Sequence, residues 1–239
     1  MGNIDQITRA AHLKLLKAFA KATKTFALAG GTALELYYLN HRFSRDLDFF
    51  SPTYSPKEVE EIIQKFSQTI GTKAKLEDEL TTSHQAKVRF YTIKLKGAAA
   101  PLKIDFIEDI FNPKPTIIKF KGVPVYSAKN IYLQKIITIT GAFLIKDEIG
   151  KEIPAGRKEV RDIIDIFYLS KKIAPLSKFL KTLDRHYQRG MVQWYRSYSR
   201  QDVKLGLLDL ALYDKEFDIS AMIKYLDQEI NKFMREEIK

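Results

Sequence analysis

The chain of 239 residues contains no cysteine, and this absence excludes several classes of protein at once. It excludes disulfide frameworks, thiolate metal sites and cysteine nucleophiles. The sequence also lacks any apolar run close to the roughly 18 residues that a membrane helix needs. Its N-terminal stretch has neither the apolar core nor the cleavage site of a secretion signal. We therefore expect a soluble, cytoplasmic protein.

Three common catalytic signatures are missing as well. There is no G-x-x-x-x-G-K-[ST] phosphate loop, no H-E-x-x-H zinc motif and no G-x-S-x-G nucleophile turn. The histidines are few and scattered: His12, His41, His84 and His186. These absences leave a serine hydrolase or a histidine-based metalloenzyme without support, and we expect His41 to pack or hydrogen-bond rather than act as a base.

Acidic residues are in short supply relative to basic ones. The chain has 29 aspartates and glutamates against 40 lysines and arginines, which gives a formal net charge of +11. Its hydrophobic fraction of 45 % is that of an ordinary globular protein and excludes wholesale disorder. The excess positive charge favours anionic partners such as nucleic acid or nucleotides.

The pattern of secondary structure changes along the chain. The first half mixes helical stretches with β-rich runs, which we place at 25–30, 46–50, 87–95, 102–107 and 116–120. A well-marked helix follows Ser55, with Pro56 at its first position, Glu58 at its third and Gly71 as the stop. After Val125 the strand signals largely end.

The second half reads as helical. Apolar residues recur at helical spacing in 160–168, and further helical runs lie near 175–189, 200–213 and 219–236. We therefore predict two domains, an α/β domain over 1–125 and an all-α domain over 126–239.

A glycine turn and a pair of aspartates suggest where the chemistry lies. Gly30, Gly31 and Thr32 link an apolar strand to a helix, and such a turn lets the backbone approach a phosphate at a helix N-terminus. Asp46 and Asp48 are two residues apart on a predicted strand, so both carboxylates point to one face. Adjacent like charges repel unless a cation lies between them, and Mg²⁺ prefers oxygen ligands. A simple turn and a solvated strand end are the alternatives.

A third carboxylate fits the same picture. Asp105 lies in the run LKIDFI, whose other residues are largely apolar, and an aspartate there is costly to bury unless it is paired or metal-bound. If this strand lies beside the strand of Asp46 and Asp48, three carboxylates converge. Such a set could hold two metal ions for an in-line displacement at phosphorus. Pairing with a lysine at the strand end is the alternative.

Together these motifs resemble the AbiEii/AbiGii-type nucleotidyltransferase toxins. The resemblance begins with the Gly-Gly-Thr turn, continues through Arg42, Ser44, Asp46, Asp48 and two phenylalanines, and includes the LKIDF strand of Asp105. Further on, the family's ordered lysine, arginine and basic-Asp-x-x-Asp pattern is matched by Lys135, Arg157, Arg161, Asp162 and Asp165. The stretch between Lys135 and Arg161 is longer than the resemblance leads us to expect.

The resemblance implies a polymerase-β-like nucleotidyltransferase of the α+β class, with a small mixed sheet flanked by helices and then a helical part. Asp46, Asp48 and Asp105 would bind Mg²⁺, and Lys135 would neutralise phosphate charge with Asp162 positioning it or a reacting group. The nucleotide triphosphate (NTP) would contact a set made of Gly30, Gly31, Thr32, Arg42, Ser44 and Lys135. The reaction implied is transfer of a nucleoside monophosphate (NMP) to RNA, with tRNA as the expected acceptor, by a toxin that has a cognate antitoxin.

A basic stretch agrees with an RNA partner. Nine basic residues and only two acidic ones lie between Lys171 and Lys204, with aromatic residues interleaved. Four of the basic residues recur at three- and four-residue steps and predict one helical stripe for RNA phosphates: Lys178, Lys181, Arg185 and Arg189. The alternative is a solvated helix face with the aromatics packed inward.

Two other functions remain open at this point. One is a catalytically idle module of the same fold that binds RNA or protein. The other is a nucleotidyltransferase for a small molecule such as an antibiotic, which would leave the basic stripe without a purpose.

Overall fold

The computed structural model describes residues 3–81, 86–141, 144–146, 148, 152–154, 156–157 and 159–237, so His84 and part of the long stretch before Arg161 lie outside it. The elements are α1 (Asn3–Ala22), β1 (Ala27–Ala29), α2 (Gly30–Ala33) with a π-helical continuation (Leu34–Leu39), β2 (Leu47–Ser51), α3 (Pro56–Ile70), β3 (Lys75–Thr81), β4 (Lys87–Ile93), β5 (Leu102–Glu108), β6 (Ile117–Phe120), β7 (Val123–Tyr126), α4 (Ala128–Thr140), β8 (Leu144–Lys146), β9 (Glu152–Pro154), α5 (Val160–Lys172), α6 (Leu176–Leu180), α7 (Arg185–Ser197), α8 (Arg200–Leu207) and α9 (Ile219–Glu237).

Seven strands form one mixed sheet in the order β3-β4-β5-β2-β1-β7-β6. At its centre β2 runs antiparallel to β1 and parallel to β5. The parallel pairing sets Asp48 opposite Asp105 and Phe49 opposite Phe106. Because successive side chains of a strand point to opposite faces, this register places the aspartates on one face and the phenylalanines on the other.

The phenylalanine face is the core of this part of the chain. Phe49 and Phe106 are fully buried and their rings stack with centroids 5.2 Å apart. Phe19 from α1 lies 4.2 Å from the Phe49 ring, and Phe66 from α3 lies 5.9 Å from it. Two helices therefore cover this face of the sheet, and the burial of large aromatic side chains fixes the strand register that the aspartates share.

The helix predicted after Ser55 is confirmed in detail. The Ser55 hydroxyl accepts a hydrogen bond from the Glu58 amide at 3.3 Å, Pro56 is the first helical residue, and Gly71 ends α3 with a φ of 77°. The five predicted strands all correspond to observed ones, with ends that shift by up to two residues.

Two strands of the seven-stranded sheet were not predicted, for different reasons. Strand β3 is an edge strand whose residues are almost all exposed, so it has no apolar alternation to signal it. Strand β7 contains Pro124, a residue that argues against a strand because it donates no backbone hydrogen bond.

The predicted helical run 175–189 is two helices. Helix α6 ends at Leu180, and α7 begins after Asp184, whose extended backbone makes it the residue that precedes the new helix. Aspartate is among the preferred residues at that position, so the sequence contained a signal for the break.

The chain divides into two compact units, residues 1–130 and 131–239. The first contains the seven-stranded sheet. The second is helical, as expected, apart from a two-stranded hairpin of β8 and β9 within the stretch that is longer than expected. The helices that the structure describes include none long and apolar enough to cross a membrane.

Candidate active site

The three predicted aspartates lie together at the centre of the sheet in the first unit. Asp48 on β2 and Asp105 on β5 are register partners, and Asp46 precedes β2 by one residue. All three side chains are half-buried, whereas Leu47 and Phe49 between and beyond them are fully buried. The expectation that β2 and β5 are neighbours, with their carboxylates on one face, is confirmed.

This convergence has an electrostatic consequence. The pKa of Asp105 rises to about 7, first because burial disfavours its charged form and then because the negative charges of Asp48 and Asp46 repel it. The positive charge of Lys103 opposes the shift but does not cancel it. A bound cation would favour the charged form of this carboxyl group and so offset the effects of burial and repulsion.

The donor set fits Mg²⁺. It consists of aspartate carboxylates, the hard oxygen donors that this ion prefers. Within the described ranges, no three or more histidine, cysteine, aspartate or glutamate side chains form a ready-made metal cage. Mg²⁺ is usually held by one or two carboxylates together with substrate phosphates rather than by an all-protein cage, so the arrangement suits it.

Gly30 is required where β1 turns into α2. Its φ is 66°, in the left-handed region that side chains rarely adopt, and a Cβ there would overlap the carboxylate of Asp48. The glycine therefore does two things. It permits the backbone conformation of the turn, and it leaves room for the carboxylate of Asp48 against the main chain.

Gly31 is packed by the loop that leads to the aspartates. A Cβ at this position would lie 2.7 Å from the Ser44 hydroxyl and 2.9 Å from a guanidinium nitrogen of Arg42. Both side chains are buried, at 9 % and 3 % exposure. The structure thus brings Arg42 and Ser44 to the glycine turn, as the predicted nucleotide-binding set requires.

Thr32 differs from its predicted role. The sequence predicts a phosphate contact for this residue, but its side chain is fully buried and its hydroxyl donates to the backbone carbonyl of Asp46 at 2.5 Å. Its hydroxyl is therefore used inside the protein, where it holds the backbone that carries the Asp46 carboxylate.

A buried glutamate that the sequence did not single out joins these pieces. Glu35 on the π-helical turn is 2 % exposed and accepts hydrogen bonds from the Ser44 amide at 3.0 Å and from Arg9 of α1. A lone glutamate in a helical run has no sequence signal for burial, because only the fold reveals the two donors that compensate its charge.

A second cluster of predicted residues forms a charged network in the second unit. Lys135 on α4 donates to Asp162 at 3.0 Å and lies 2.6 Å from Asp165, and both aspartates on α5 are fully buried. Arg157 binds both oxygens of Asp162, with two contacts of 2.9 Å. The ordered motif of the sequence is therefore a cluster in space.

The charges of this network compensate one another. Burial alone would raise the pKa of Asp162, but the positive charges and hydrogen bonds of Lys135 and Arg157 outweigh it and hold that pKa below its usual value. Asp162 is therefore ionised at neutral pH. The bidentate contact of Arg157 fixes the orientation of that carboxylate as well as its charge.

The four predicted RNA-binding residues do not form one helical stripe. Lys178 lies on α6 and Lys181 is the residue after it, whereas Arg185 and Arg189 belong to α7. Lys181 also pairs with Glu236 at 2.6 Å. The prediction of a single stripe is wrong because the turn before Asp184 breaks the periodicity.

The interleaved aromatic residues are largely packed inward. Trp194, Tyr195 and Tyr198 are at most 7 % exposed, and the indole of Trp194 donates to the backbone carbonyl of Arg157. They are not available to stack on unpaired bases, so the inward-packed alternative is correct for these three residues.

A groove of about 770 Å³ runs along the exposed face of α7. Its lining includes Arg185, Arg189 and Arg196, with Gln188 and Gln193 between them, and Phe233 and Glu237 from α9. Three arginines against one glutamate make this groove positively charged. Arg196 was counted among the basic residues of the stretch but was not part of the predicted stripe.

Comparison with known proteins identifies the family. The family described as "Nucleotidyl transferase AbiEii toxin, Type IV TA system" matches residues 14–237, nearly the whole chain. This protein belongs to the AbiEii family of nucleotidyltransferase toxins. This chain is therefore an enzyme of the nucleotidyltransferase class, and the alternative of a catalytically idle module is set aside. No curated protein compared with it matches in sequence.

Two solved structures from Helicobacter pylori share the fold. One is a candidate nucleotidyltransferase, with a TM-score of 0.61 and 16 % identity, covering 100 % of this chain and 99 % of the other. The second is the protein JHP933, with a TM-score of 0.58 and 15 % identity, covering 99 % of this chain and 96 % of the other. At such low identity the likeness establishes the nucleotidyltransferase fold of the AbiEii protein and nothing finer.

The Gly30→Ala substitution should lower stability and turnover by more than the strain of placing alanine at a positive φ would cause. Gly71→Ala is the matched control, because Gly71 has a similar φ of 77° but open space where the Cβ would go. We expect Gly71→Ala to cost about 1 kcal/mol of unfolding free energy and to retain activity. Gly30→Ala must also displace Asp48 and should abolish NTP turnover. If Gly30→Ala and Gly71→Ala lost equal unfolding free energy and equal turnover, the close approach of Asp48 to Gly30 would be contradicted.

The raised pKa of Asp105 predicts a titration near neutral pH in the metal-free protein. Asp48→Asn removes one repelling charge and should lower that pKa, but burial is the larger cause and should keep it above the ordinary value near 4. Because the folded pKa is raised, the folded state gains stability as pH falls from about 7 towards 4. Carboxyl ¹³C NMR titration of both proteins measures the shift, and an unchanged Asp105 pKa in Asp48→Asn would refute the coupling.

Proposed function

We propose that this AbiEii-family enzyme transfers NMP from an NTP to RNA in a Mg²⁺-dependent reaction, with tRNA as the acceptor class. The observation that carries the catalytic part is the register of β2 and β5, which sets Asp48 opposite Asp105 with Asp46 beside them. Three carboxylates on one face of a sheet, one of them with a pKa near 7, are a site in need of divalent cations.

In this proposal Asp46, Asp48 and Asp105 hold Mg²⁺, which when bound neutralises charge on the triphosphate and on the departing pyrophosphate. The turn at Gly30 and Gly31 offers backbone that a phosphate can approach closely. The RNA hydroxyl oxygen forms a bond to the α-phosphorus while the bond from that phosphorus to the oxygen bridging to the β-phosphate breaks. Pyrophosphate leaves with that oxygen, and the hydroxyl proton passes to solvent. Catalysis is then mainly placement and charge stabilisation, with no covalent enzyme intermediate.

Arg42 and Ser44 support the nucleotide at this turn. Both are packed against Gly31, and the guanidinium of Arg42 adds positive charge beside the place proposed for the triphosphate. Thr32 contributes by holding Asp46 rather than by touching phosphate.

Lys135 and Asp162 are a separate part of the proposal. By resemblance to the family, Lys135 neutralises phosphate charge and Asp162 positions Lys135. The short contacts of Lys135 with Asp162 and Asp165 support such positioning, because two buried carboxylates restrict the ammonium group to one place. Arg157 shares Asp162 and helps to offset the two negative charges.

The groove along α7 supports RNA as the acceptor. Its arginines lie on one helix face at a spacing of one or two turns, so they can contact successive phosphates of one strand. A small-molecule acceptor would make no use of such a groove. Lys178 and Lys181 do not line it, so we assign the main contacts to Arg185 and Arg189.

The biological setting follows from the family and the substrates. The family is described as a toxin of a type IV toxin–antitoxin system, so we include a cognate antitoxin in the proposal. We also propose that the reaction takes place in the cytoplasm, where NTPs and tRNA are found.

Removing a catalytic carboxylate should abolish transfer without unfolding the protein. Asp46→Asn and Asp48→Asn delete charge with little change in volume, and each should lower the rate about 10³-fold or more. Asp78→Asn, an exposed aspartate on the edge strand β3, is the control and should behave as wild type. The assay is incorporation of labelled NTP into bulk tRNA, with an aminoglycoside as the competing acceptor class. Wild-type turnover in either catalytic variant, or labelling of the aminoglycoside alone, would refute the proposal.

Charge reversal in the groove should weaken RNA binding selectively. Arg185→Glu with Arg189→Glu should reduce RNA affinity and flatten its salt dependence by about 0.7 in log–log slope for each lost phosphate contact. Lys178→Glu with Lys181→Glu makes the same change of charge outside the groove and should have a smaller effect. Fluorescence anisotropy with single-stranded RNA at several salt concentrations measures both. Equal losses in the two double variants would show that the groove has no special role.

A further inference from the structure

Among the three proposed metal-binding aspartates, Asp46 is the one whose backbone lies outside the strand pairing of the sheet. The pairing of β2 with β5 begins at Leu47, and its pairing with β1 ends at Asp48. Asp48 and Asp105 are therefore fixed by strand ladders, whereas the backbone of Asp46 lies just outside them. The position of the Asp46 carboxylate must depend on other contacts.

Two side chains hold the backbone at this point. The hydroxyl of Thr32 donates to the Asp46 carbonyl at 2.5 Å. The ring nitrogen Nε2 of His12 lies 2.9 Å from the carbonyl of Arg45, the preceding residue. Since a carbonyl oxygen only accepts, Nε2 of His12 carries the proton and is the donor. Consecutive carbonyls before β2 are thus bound by side chains from two different helices.

The surroundings of His12 indicate a fixed ring. His12 lies on α1, is fully buried, and stacks on Phe43 with an interplanar angle of 19°. Arg9, three residues earlier on α1, lies over the same phenylalanine and pairs with Glu35, which in turn binds the Ser44 amide. Helix α1 therefore contacts, directly or through Glu35, each residue from Phe43 to Arg45.

His12 acts here as a neutral hydrogen-bond donor. Burial lowers the pKa of this imidazole to about 4, so the ring is uncharged near neutral pH. Its other nitrogen, Nδ1, is buried with no hydrogen-bond partner among the described residues, a situation that an unprotonated nitrogen tolerates better than an N–H group would. These features do not suit a proton-transfer role.

We propose that His12 is a positioning residue for the transfer reaction. By binding the Arg45 carbonyl it fixes, together with Thr32, the backbone from which the Asp46 carboxylate reaches the divalent cation. The inference rests on the proposed function in one respect, namely that Asp46 is a cation ligand. It assigns to α1 a part in catalysis that no sequence motif indicated.

Two substitutions separate the hydrogen bond from the packing. His12→Phe keeps a ring that can stack on Phe43 but removes the donor, whereas His12→Gln retains an N–H donor near the same place. We expect His12→Phe to weaken Mn²⁺ binding, measured by electron paramagnetic resonance on the full chain, about 10- to 100-fold. It should lower kcat with little change in the KM for NTP, and His12→Gln should restore part of both.

A matched control addresses simple destabilisation. Leu16→Ala truncates a buried residue one turn further along α1 and removes only packing. It should lower the melting temperature while leaving Mn²⁺ affinity unchanged. Should His12→Phe fail to fold, the pair Thr32→Val and Thr32→Ser tests the neighbouring bond in the same way, with serine retaining the hydroxyl.

The outcomes distinguish this inference from the proposed function. Wild-type Mn²⁺ affinity in His12→Phe, or an equal loss in Leu16→Ala, would overturn the positioning role. Weaker Mn²⁺ binding in His12→Phe would support it even if the wild-type protein transferred no NMP to RNA, a result that would overturn the proposed function alone.

Discussion

The parallel pairing of β2 with β5 is the interaction on which the rest of the first unit depends. One register sets Phe49 opposite Phe106 in the core and Asp48 opposite Asp105 on the other face. A shift of one residue in a single strand would bring a carboxylate into the aromatic core. The free energy needed to bury that charge without a partner would be prohibitive. The packing of the core therefore holds the two carboxylates close together despite their mutual repulsion.

The elements around this pairing accommodate the carboxylates and hold the loop that leads to them. Gly30 gives the carboxylate of Asp48 room against the main chain, and the pair of half-buried Arg9 with buried Glu35 secures the loop that brings Ser44 to the glycine turn. The loop has little regular structure of its own, so its shape is set by side-chain hydrogen bonds from α1 and α2. Such contacts place a functional group more firmly than a free loop would.

The second unit also brings carboxylates together, but there they are paired with positively charged side chains. There, two buried aspartates face Lys135 and Arg157, and the charges compensate one another within the network. Removing one partner from a buried ionic cluster leaves an uncompensated charge, which is far more costly than losing a surface pair. Asp162 has a lowered pKa because the positive charges of Lys135 and Arg157 outweigh its burial, whereas Asp105 has a raised pKa first because of burial and then because two other carboxylates repel its charge.

The sequence by itself determined the family, the convergence of the strands that carry Asp48 and Asp105, the helix after Ser55 and the charged motif from Lys135 to Asp165, because each depends on residue types at short, regular spacing. It did not determine the strand that contains Pro124 or the inward packing of Trp194. Those features depend on contacts between residues distant in sequence. Only the tertiary structure decided that Thr32 holds Asp46, that His12 holds Arg45 and that Glu35 is buried, since a side chain acquires such partners only when separate elements are packed together.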